Sequence, residues 1–449
     1  MGNKNTSTNN RDINQLSDAC RLSKIVTQAV GLRSNSASQT DTIMLTLENN
    51  LNYQKNITGP NKKAFMKYWI NYDYEIGNEM DKNTLTNGLL DSFASAGKAL
   101  QYELMVYRDI IRILIDEKKC TNFIQCYASS SSCDSDSILS IILKAFPAIT
   151  KKKAKSNFLN NLSYMVTGTR NRPSVTSSAP NPILYTTIYS WLLTLYQKIS
   201  YGFIVTEYRE GTSFQNWYLT AASGGDIQTT LKLLFQICFA CYTMYFSKVS
   251  HNDLHLENVR LATDLVNNEK IFTYITDEID ITFDCDLKAM IYDFDRSYSP
   301  IVGMNDFLTK DCGIRPDCNK IREGYDFTYF IICLIQFECR NSSNYYIVVN
   351  LLKIIAKNKS EYNKIIGILG ITINKTTRTI TTPSSFKHPI DCMKFNYRKY
   401  NIILSIIQQK ILVDIYLPKA TININTILKK DFNKTSGKLI NIYNNKDCP

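Results

Sequence analysis

The segment from Val249 to Leu261 constrains the fold of this chain more than any other stretch. It contains the pattern His251-x-Asp253-x-x-x-x-Asn258, a cluster of polar side chains at fixed spacing. A long apolar segment, 229–246, precedes the pattern, and the strand-like run Val-Arg-Leu follows it. Apolar runs of helix length indicate a buried helix. We therefore predict a polar loop that leaves a long core helix and enters a strand.

A second motif, Ala-Met-Ile-Tyr-Asp293-Phe294-Asp295, is an apolar run that ends in a carboxylate. Phosphoryl transfer from ATP depends on placing a hydroxyl in line with the γ-phosphate and on Mg²⁺ to offset charge. In that chemistry Asp253 accepts the hydroxyl proton. Asn258 and Asp293 supply oxygen ligands of the kind that Mg²⁺ prefers. The alternative interpretation is a polar surface loop beside a core strand.

Together the two motifs resemble the catalytic loop and the metal-binding loop of the protein-kinase-like superfamily, in a divergent eukaryotic-type form. The resemblance spans residues 22–415 and implies an α+β, bilobal fold with insertions: a small β-rich N-lobe with one helix and a larger, mostly helical C-lobe. The implied boundaries are a disordered tail at 1–21, an N-lobe at 22–208 with an insertion at 128–200, a C-lobe at 209–418 and a basic tail at 419–449. Frequent Asn, Ile, Lys and Tyr suggest an AT-rich genome. The similarity is to serine/threonine protein kinases of large DNA viruses.

The resemblance also assigns residues to the phosphates of ATP. Lys67 lies in an alternating strand-like run and matches the phosphate-pairing lysine, with Lys62 and Lys63 as alternatives. Glu103 matches the helical glutamate that pairs with this lysine, because apolar residues around it recur at helical spacing. Strands at 23–30 and 42–47 are predicted to flank a loop of small residues over the phosphates. Gly31 is the one glycine of the expected pattern in that loop, and an ordinary hairpin turn is the alternative.

The run 203–211 resembles the strand and hinge that connect the lobes of a kinase. Thr206 would stand behind the adenine, and Glu207 and Arg209 would offer main-chain hydrogen bonds to its edge. Tyr208 lies between them in the same cofactor-binding run. Further along, Asp326 heads an apolar helix, and in the superfamily an aspartate there anchors the catalytic loop. Aspartate also favours helix N-termini by capping alone.

Two departures from the family pattern leave the substrate class open. Asp-Phe-Asp replaces Asp-Phe-Gly, and His255 stands where protein kinases have a lysine that touches the γ-phosphate. A histidine there is similar to haspin-like kinases and to small-molecule kinases such as choline and aminoglycoside kinases. The prediction is an ATP- and Mg²⁺-dependent kinase that acts on Ser/Thr hydroxyls of a protein. The alternatives are a small-molecule kinase of the same fold and a pseudokinase scaffold. Retention of Asp253, Asn258 and Asp293 argues against the scaffold.

Amino-acid composition and net charge limit the kinds of partner and the cellular compartment that are expected for this chain. The chain has 449 residues, 44% of them hydrophobic, which suffices for a sizeable core, and a net charge of +12. That charge suits anionic partners such as nucleotide or acidic lipid. We interpret the lysine run 151–155 as a solvated face, so no specific nucleic-acid binding is expected. Thirteen cysteines without paired spacing, and no secretory signal, predict a reducing compartment, the host cytoplasm or the virion. Cys238 and Cys241, on the predicted core helix, indicate packing rather than a redox pair.

Two remaining segments carry weaker signals. Gly2, followed four residues later by Thr6, matches the myristoylation pattern. It predicts a peripheral membrane contact, and a chance match is the alternative. The segment between Asn258 and Asp293 is acidic, and we expect exposed loop carboxylates there, with an extra metal site as the alternative. The segment after Asp295 occupies the activation-segment position but has no Ala-Pro-Glu ending. Conventional activation by phosphorylation is therefore not expected.

Overall fold

The fold is of mixed α+β type and divides into two compact units. One comprises Met1–Tyr107 and Gln125–Tyr208, and the other Arg108–Ile124 and Arg209–Pro449. The computed structural model describes residues 22–24, 26–32, 42–47, 63–71, 97–133, 135–145, 200–221, 227–265, 267–275, 280–306, 308, 318–342, 344–393 and 395–416. The predictions for Gly2, for most of the phosphate loop, for the lysine run 151–155 and for the basic C-terminal tail lie outside these residues.

The first unit is built on an antiparallel five-stranded sheet with the order β1-β2-β3-β5-β4. Its strands are β1 (Val26–Leu32), β2 (Thr42–Leu47), β3 (Lys63–Asn71), β4 (Cys126–Cys133) and β5 (Ser200–Glu207). In β3, Ala64, Met66 and Tyr68 are buried. Because side chains alternate along a strand, Lys67 projects from the opposite face of the sheet.

Two helices accompany the sheet in the chain. The described part of α1 runs over 97–106, continues through a π-helical turn, Tyr107–Ile111, and ends with Arg112–Asp116. From Arg108 onward this helix belongs to the second unit. The helix α2, Ser135–Ala145, packs on β1 and β2. The apolar face predicted for α1 is confirmed, since its members are all buried: Leu100, Leu104, Tyr107, Ile111 and Leu114.

Two strand predictions in this unit were wrong in detail. The run Asn-Phe-Ile-Gln-Cys-Tyr at 122–127 also predicts a strand, but the strand in the structure, β4, begins at Cys126 and continues through the serine run to Cys133. Serine lacks the β-branched or aromatic side chain that favours strands, but this run pairs with β5. The first strand was predicted at 23–30 and instead spans 26–32. Both shifts show tertiary pairing overriding local sequence preference.

The second unit is organised around the helix α4 (Ile227–Phe246), whose residues from Leu233 to Met244 are all buried. A helix that is apolar all round belongs in a core, and α4 contacts the strand β10 and the helices α5 and α8. The helices of this unit are α3 (Phe214–Ala221), α4, α5 (Tyr325–Asn341), α6 (Tyr345–Ile355), α7 (Lys359–Leu369) and α8 (Tyr400–Tyr416).

The described part of the second unit also contains three small sheets. One has the order β10-β7-β6, and the others are the hairpins β8–β9 and β11–β12. Their strands are β6 (Gly211–Ser213), β7 (Val259–Ala262), β8 (Ile271–Ile275), β9 (Asp280–Asp284), β10 (Lys288–Ile291), β11 (Thr372–Asn374) and β12 (Thr379–Thr381). Gly211 must be glycine, because its φ is +139° and an added Cβ would lie 1.8 Å from the Leu261 carbonyl oxygen.

Between Asn258 and Asp293 the chain forms the β8–β9 hairpin where a loop was expected, whereas the predicted exposure of the carboxylates is confirmed for Asp284 and Asp286. Tyr274 and Phe283 are buried in this hairpin and pack edge-on against Phe235 of α4. Two of its carboxylates meet lysines: Asp284 pairs with Lys232, and Asp286, just beyond β9, pairs with Lys270. Alternating aromatic residues, rather than the charge count, were the signal for these strands.

The state of the cysteines and the length of the helices relate to the compartment predicted for this chain. Cys238 and Cys241 are fully buried on α4, and burial raises the pKa of both thiols well above the usual range. The prediction that they pack in the core is confirmed. Cys318 is disulfide-bonded, which the cysteine spacing did not predict. Within the described parts of the chain, every helix is too short or too polar to cross a bilayer.

Candidate active site

In the first unit, Lys67 of β3 and Glu103 of α1 form an ion pair. The Lys67 ammonium donates to both carboxylate oxygens of Glu103, at 3.0 and 2.9 Å. Glu103 is 1% exposed and Lys67 is 19% exposed. A carboxylate removed from water needs such a partner. The structure therefore brings together the two residues that the resemblance assigned to phosphate binding, although 36 positions separate them in the chain.

In the second unit, the loop that contains Asp253 is fastened to the N-terminus of α5 by Asp326. The buried Asp326 carboxylate accepts backbone N–H groups from His251 at 3.0 Å and from Asn252 at 2.9 Å, and it accepts the Ser250 hydroxyl at 3.3 Å. Burial raises the pKa of Asp326, and these donors oppose the rise. Asn252 has a positive φ of 62°, a conformation that asparagine tolerates. Asp326 thus holds three consecutive residues ahead of Asp253.

Two further side chains of the second unit flank the Asp253 carboxylate. The Tyr329 hydroxyl lies 3.4 Å from Oδ1, and Nε of Arg296 lies 3.5 Å from Oδ2. Tyr329 is buried on α5, one turn after Asp326, whereas Asp253 and Arg296 are partly exposed. The carboxylate therefore has a fixed position and access to solvent, both of which a proton acceptor needs.

The candidate metal ligands meet at one end of the β7–β10 ladder. Asn258 immediately precedes β7, and Asp293 follows β10 by two positions. The strands are antiparallel, with Val259 opposite Ile291, and the Tyr292 N–H donates to the Asn258 carbonyl at 3.2 Å. Pairing of this kind places both polar residues beside the same ladder end.

The chemistry of this donor set fits Mg²⁺. The Asn258 side chain donates its N–H to the Asp253 carbonyl at 2.9 Å, so its oxygen is the atom left for a cation. Asp293 adopts left-handed backbone angles, with φ 72° and ψ 66°. Among the described residues there is no group of three or more His, Cys, Asp or Glu side chains suited to a metal ion. One amide and one carboxylate match an ion that keeps its waters and binds substrate phosphates.

Packing beneath the site fixes these loops. Phe294 is fully buried, with ring centroids 6.4 Å from Phe123 and 5.0 Å from His251. Nε2 of His251 lies 3.0 Å from the Tyr292 carbonyl oxygen. Because a carbonyl only accepts, that nitrogen carries the hydrogen. His251 thereby ties the loop of Asp253 to the loop of Asp293.

The residues predicted to form a hinge make contacts within their own units. In the first unit, the Glu207 N–H donates to the Gln125 carbonyl at 2.8 Å, and Thr206 lies opposite Phe65 and Cys126 in the sheet. Tyr208 packs on Phe65, with ring centroids 5.0 Å apart.

In the second unit, Arg209 forms ion pairs with Asp264 and Glu269 at 2.9 and 3.1 Å. Its carbonyl oxygen accepts Nε of Arg260 at 2.6 Å. That oxygen is therefore already hydrogen-bonded within the chain, which the sequence did not indicate. The Glu207 carbonyl and the Arg209 amide stay predictions for adenine.

Two predicted site residues, Gly31 and His255, lie in local structures that the sequence did not predict. Gly31 lies within β1, opposite Ile43, and is not one of the described glycines with positive φ. The loop was predicted to begin at Gly31, but pairing with β2 continues the strand to Leu32. A role of Gly31 over the phosphates stays a prediction. His255 caps the 3-10 turn Leu256–Asn258, where its Nδ1 accepts the Glu257 N–H at 3.2 Å.

Sequence reasoning missed Arg296, Tyr329, Ser250 and Asn252. A signal existed for Tyr329, since it lies three residues after Asp326 and hence on the same face of a helix. Arg296 carried no signal, because its contact with Asp253 arises from loop geometry.

Comparison with known proteins adds no assignment. The amino-acid sequence matches no protein-family profile and is not significantly similar to any curated protein.

Proposed function

We propose that this chain is an ATP-dependent phosphotransferase with a bilobal, protein-kinase-like fold, and that it phosphorylates serine or threonine hydroxyls of a protein. One observation carries the proposal. In the second unit, a loop held by Asp326 presents Asp253 beside Asn258, and the β7–β10 ladder brings Asn258 next to the segment that ends in Asp293.

In the proposed reaction, the acceptor oxygen attacks the γ-phosphorus while Asp253 takes the hydroxyl proton. The bond from the γ-phosphorus to the bridging oxygen breaks, and its electron pair leaves with ADP. Mg²⁺ bound by Asn258 and Asp293 would offset negative charge on the phosphates. Lys67 of the first unit, which pairs with Glu103, is assigned to the phosphates of the nucleotide by the resemblance. Asp326 acts as a positioning residue, because it fixes the backbone that carries Asp253.

A small-molecule acceptor is the second candidate. It is favoured by His255, which replaces the lysine of protein kinases and caps a turn through Nδ1. A pseudokinase scaffold is the third candidate, and the retained base and metal ligands argue against it.

The test is transfer from Mg·[γ-³²P]ATP by the full chain to two panels, one of Ser/Thr-containing proteins and peptides and one of small hydroxyl compounds. We expect label on protein Ser/Thr and no transfer when EDTA removes the metal. Transfer to small compounds alone would establish the second candidate. Nucleotide binding without transfer to either panel would establish the scaffold. Labelling that persists in EDTA would refute the metal assignment.

A further inference from the structure

We infer that Arg296 is the cation that contacts the phosphoryl group during transfer, in place of the lysine that His255 has replaced. The inference rests on the proposed function. It concerns the second unit alone, and it starts from the partners of Asp253.

His255 is poorly placed to take the role of that lysine. Its Nδ1 accepts a hydrogen bond from the Glu257 N–H and so caps the 3-10 turn Leu256–Asn258. The ring is therefore already engaged in holding the turn that contains a candidate metal ligand.

Arg296 lies where the charge is needed. Its Nε is 3.5 Å from Oδ2 of Asp253, and 32% of its side chain is exposed. It follows the candidate metal ligand Asp293 by three residues in the chain. Arginine stays charged at all accessible pH values, and its planar fork of donors matches carboxylate and phosphate oxygens. A guanidinium there can contact Asp253 and a phosphoryl oxygen together.

The backbone around Arg296 is fixed on both sides. Its carbonyl accepts Nδ2 of Asn252 at 3.3 Å, and Asn252 is itself bound by Asp326. Nδ2 of Asn305 donates to the carbonyls of Asp295 and Ser297, at 2.9 and 2.8 Å. A donor with a fixed backbone needs little rearrangement when charge develops in the transition state, which is the condition for electrostatic catalysis.

The role follows from the charges that meet during transfer. The Asp253 carboxylate must approach an acceptor hydroxyl that is attacking an anionic γ-phosphoryl group. As the acceptor oxygen bonds to phosphorus, its proton passes to Asp253 and the electron pair of the broken bond leaves with ADP. Arg296 is unchanged by the step, and it offsets the repulsion between carboxylate and phosphoryl oxygens. Arg296 would therefore act on the transition state more than on nucleotide binding.

The variants Arg296→Gln and Arg296→Lys test this inference. Arg112→Gln is the matched control, since Arg112 also pairs with a carboxylate, on the exposed face of a helix of the same unit. We expect Arg296→Gln to lower kcat by about 10²–10³-fold, the loss typical of one transition-state donor. KM for ATP should change little. Arg296→Lys should recover part of kcat, because it restores the charge without the fork. Arg112→Gln should behave as wild type.

A second measurement needs no acceptor. Calorimetry compares binding of Mg·ADP with binding of Mg·ADP plus tetrafluoroaluminate, a mimic of the transferring phosphoryl group. Arg296→Gln should lose the extra affinity for the mimic and keep the affinity for Mg·ADP, whereas misfolding would weaken both. If Arg296→Gln kept the wild-type kcat and the wild-type affinity for the mimic, the inference would be wrong and the proposed function would stand. A wild-type chain that transfers to no acceptor and gains nothing from the mimic would overturn the proposed function as well.

Discussion

At the scale of single residues, the Asp253 carboxylate is contacted by side chains that lie far away in sequence. Tyr329 is 76 positions away and contacts Oδ1, while Arg296 contacts Oδ2. The His-x-Asp-x₄-Asn spacing predicted which carboxylate to examine, because in the kinases that it resembles this pattern carries the proton acceptor and a metal ligand. It could not predict the flanking donors, since they come from a helix and a second loop that only the fold brings near.

Replacing Asp253 by alanine should abolish phosphoryl transfer and leave nucleotide binding largely intact. A base contributes about 10²–10⁴-fold to rate, and the loss of positioning adds to this. The comparison is single-turnover transfer and Mg·ATP affinity in Asp253→Ala and in Asp116→Ala, an exposed aspartate of the same unit. Undiminished transfer in a folded Asp253→Ala chain would contradict the assignment.

The Lys67–Glu103 pair makes a prediction about stability. Glu103 is almost fully buried, so Lys67→Met leaves its carboxylate without this ion partner, a change that typically costs about 3–5 kcal/mol. Adding Glu103→Gln should recover part of the lost stability, because the uncompensated charge is gone. Chemical denaturation of both single variants and the double variant measures the coupling. Equal stability of Lys67→Met and the double variant would show that the pair does not act as described.

At the scale of elements, the sequence predicted those with strong periodicity and missed those that depend on pairing. The core helix α4 and the strands β7 and β10 follow from long or clustered apolar runs. The hairpins β8–β9 and β11–β12 were missed, and β4 was predicted several residues too early. Strand bounds depend on cross-strand partners, which periodicity along one segment does not contain.

The junction between α5 and the loop of Asp253 should be sensitive to Asp326→Asn. The asparagine side chain has one acceptor oxygen and two N–H donors, whereas the buried carboxylate receives hydrogen bonds at both oxygens. At least one backbone N–H of residues 251–252 then loses its partner, at a cost of about 1–3 kcal/mol.

We expect a lower melting temperature and a fall in kcat for Asp326→Asn, and little change for Asp391→Asn, which lies in a short surface turn. Comparison of the melting temperature with kcat separates a structural role of Asp326 from a positioning role. Loss of stability with unchanged kcat would show that Asp326 stabilises the fold without positioning Asp253.

At the scale of the whole molecule, the predicted α+β class is confirmed, and the chain divides into two units near Tyr208. The resemblance of residues 203–211 to the strand and hinge of a kinase predicted a boundary at this position. It did not indicate that Arg108–Ile124 joins the second unit, where Asn122 bonds to Gln236 and to the Ala289 carbonyl. That contact is made by buried amides, and no periodic pattern marks them.

Ligand binding should be measurable as an increase in the stability of the whole chain. A ligand that binds only the folded state stabilises it by RT ln(1 + [L]/Kd), about 2.7 kcal/mol at a hundredfold excess over Kd. Mg·ATP should raise the melting temperature of the wild type, and EDTA should remove most of that shift. Asp293→Asn should reduce the shift, because it replaces a charged metal ligand by a neutral one. Asp286→Asn is the matched control, an exposed aspartate of the same unit paired with Lys270, and it should keep the wild-type shift. If Asp293→Asn retained the full Mg²⁺-dependent shift, the metal assignment would fail, and nucleotide binding would have to rest on other residues.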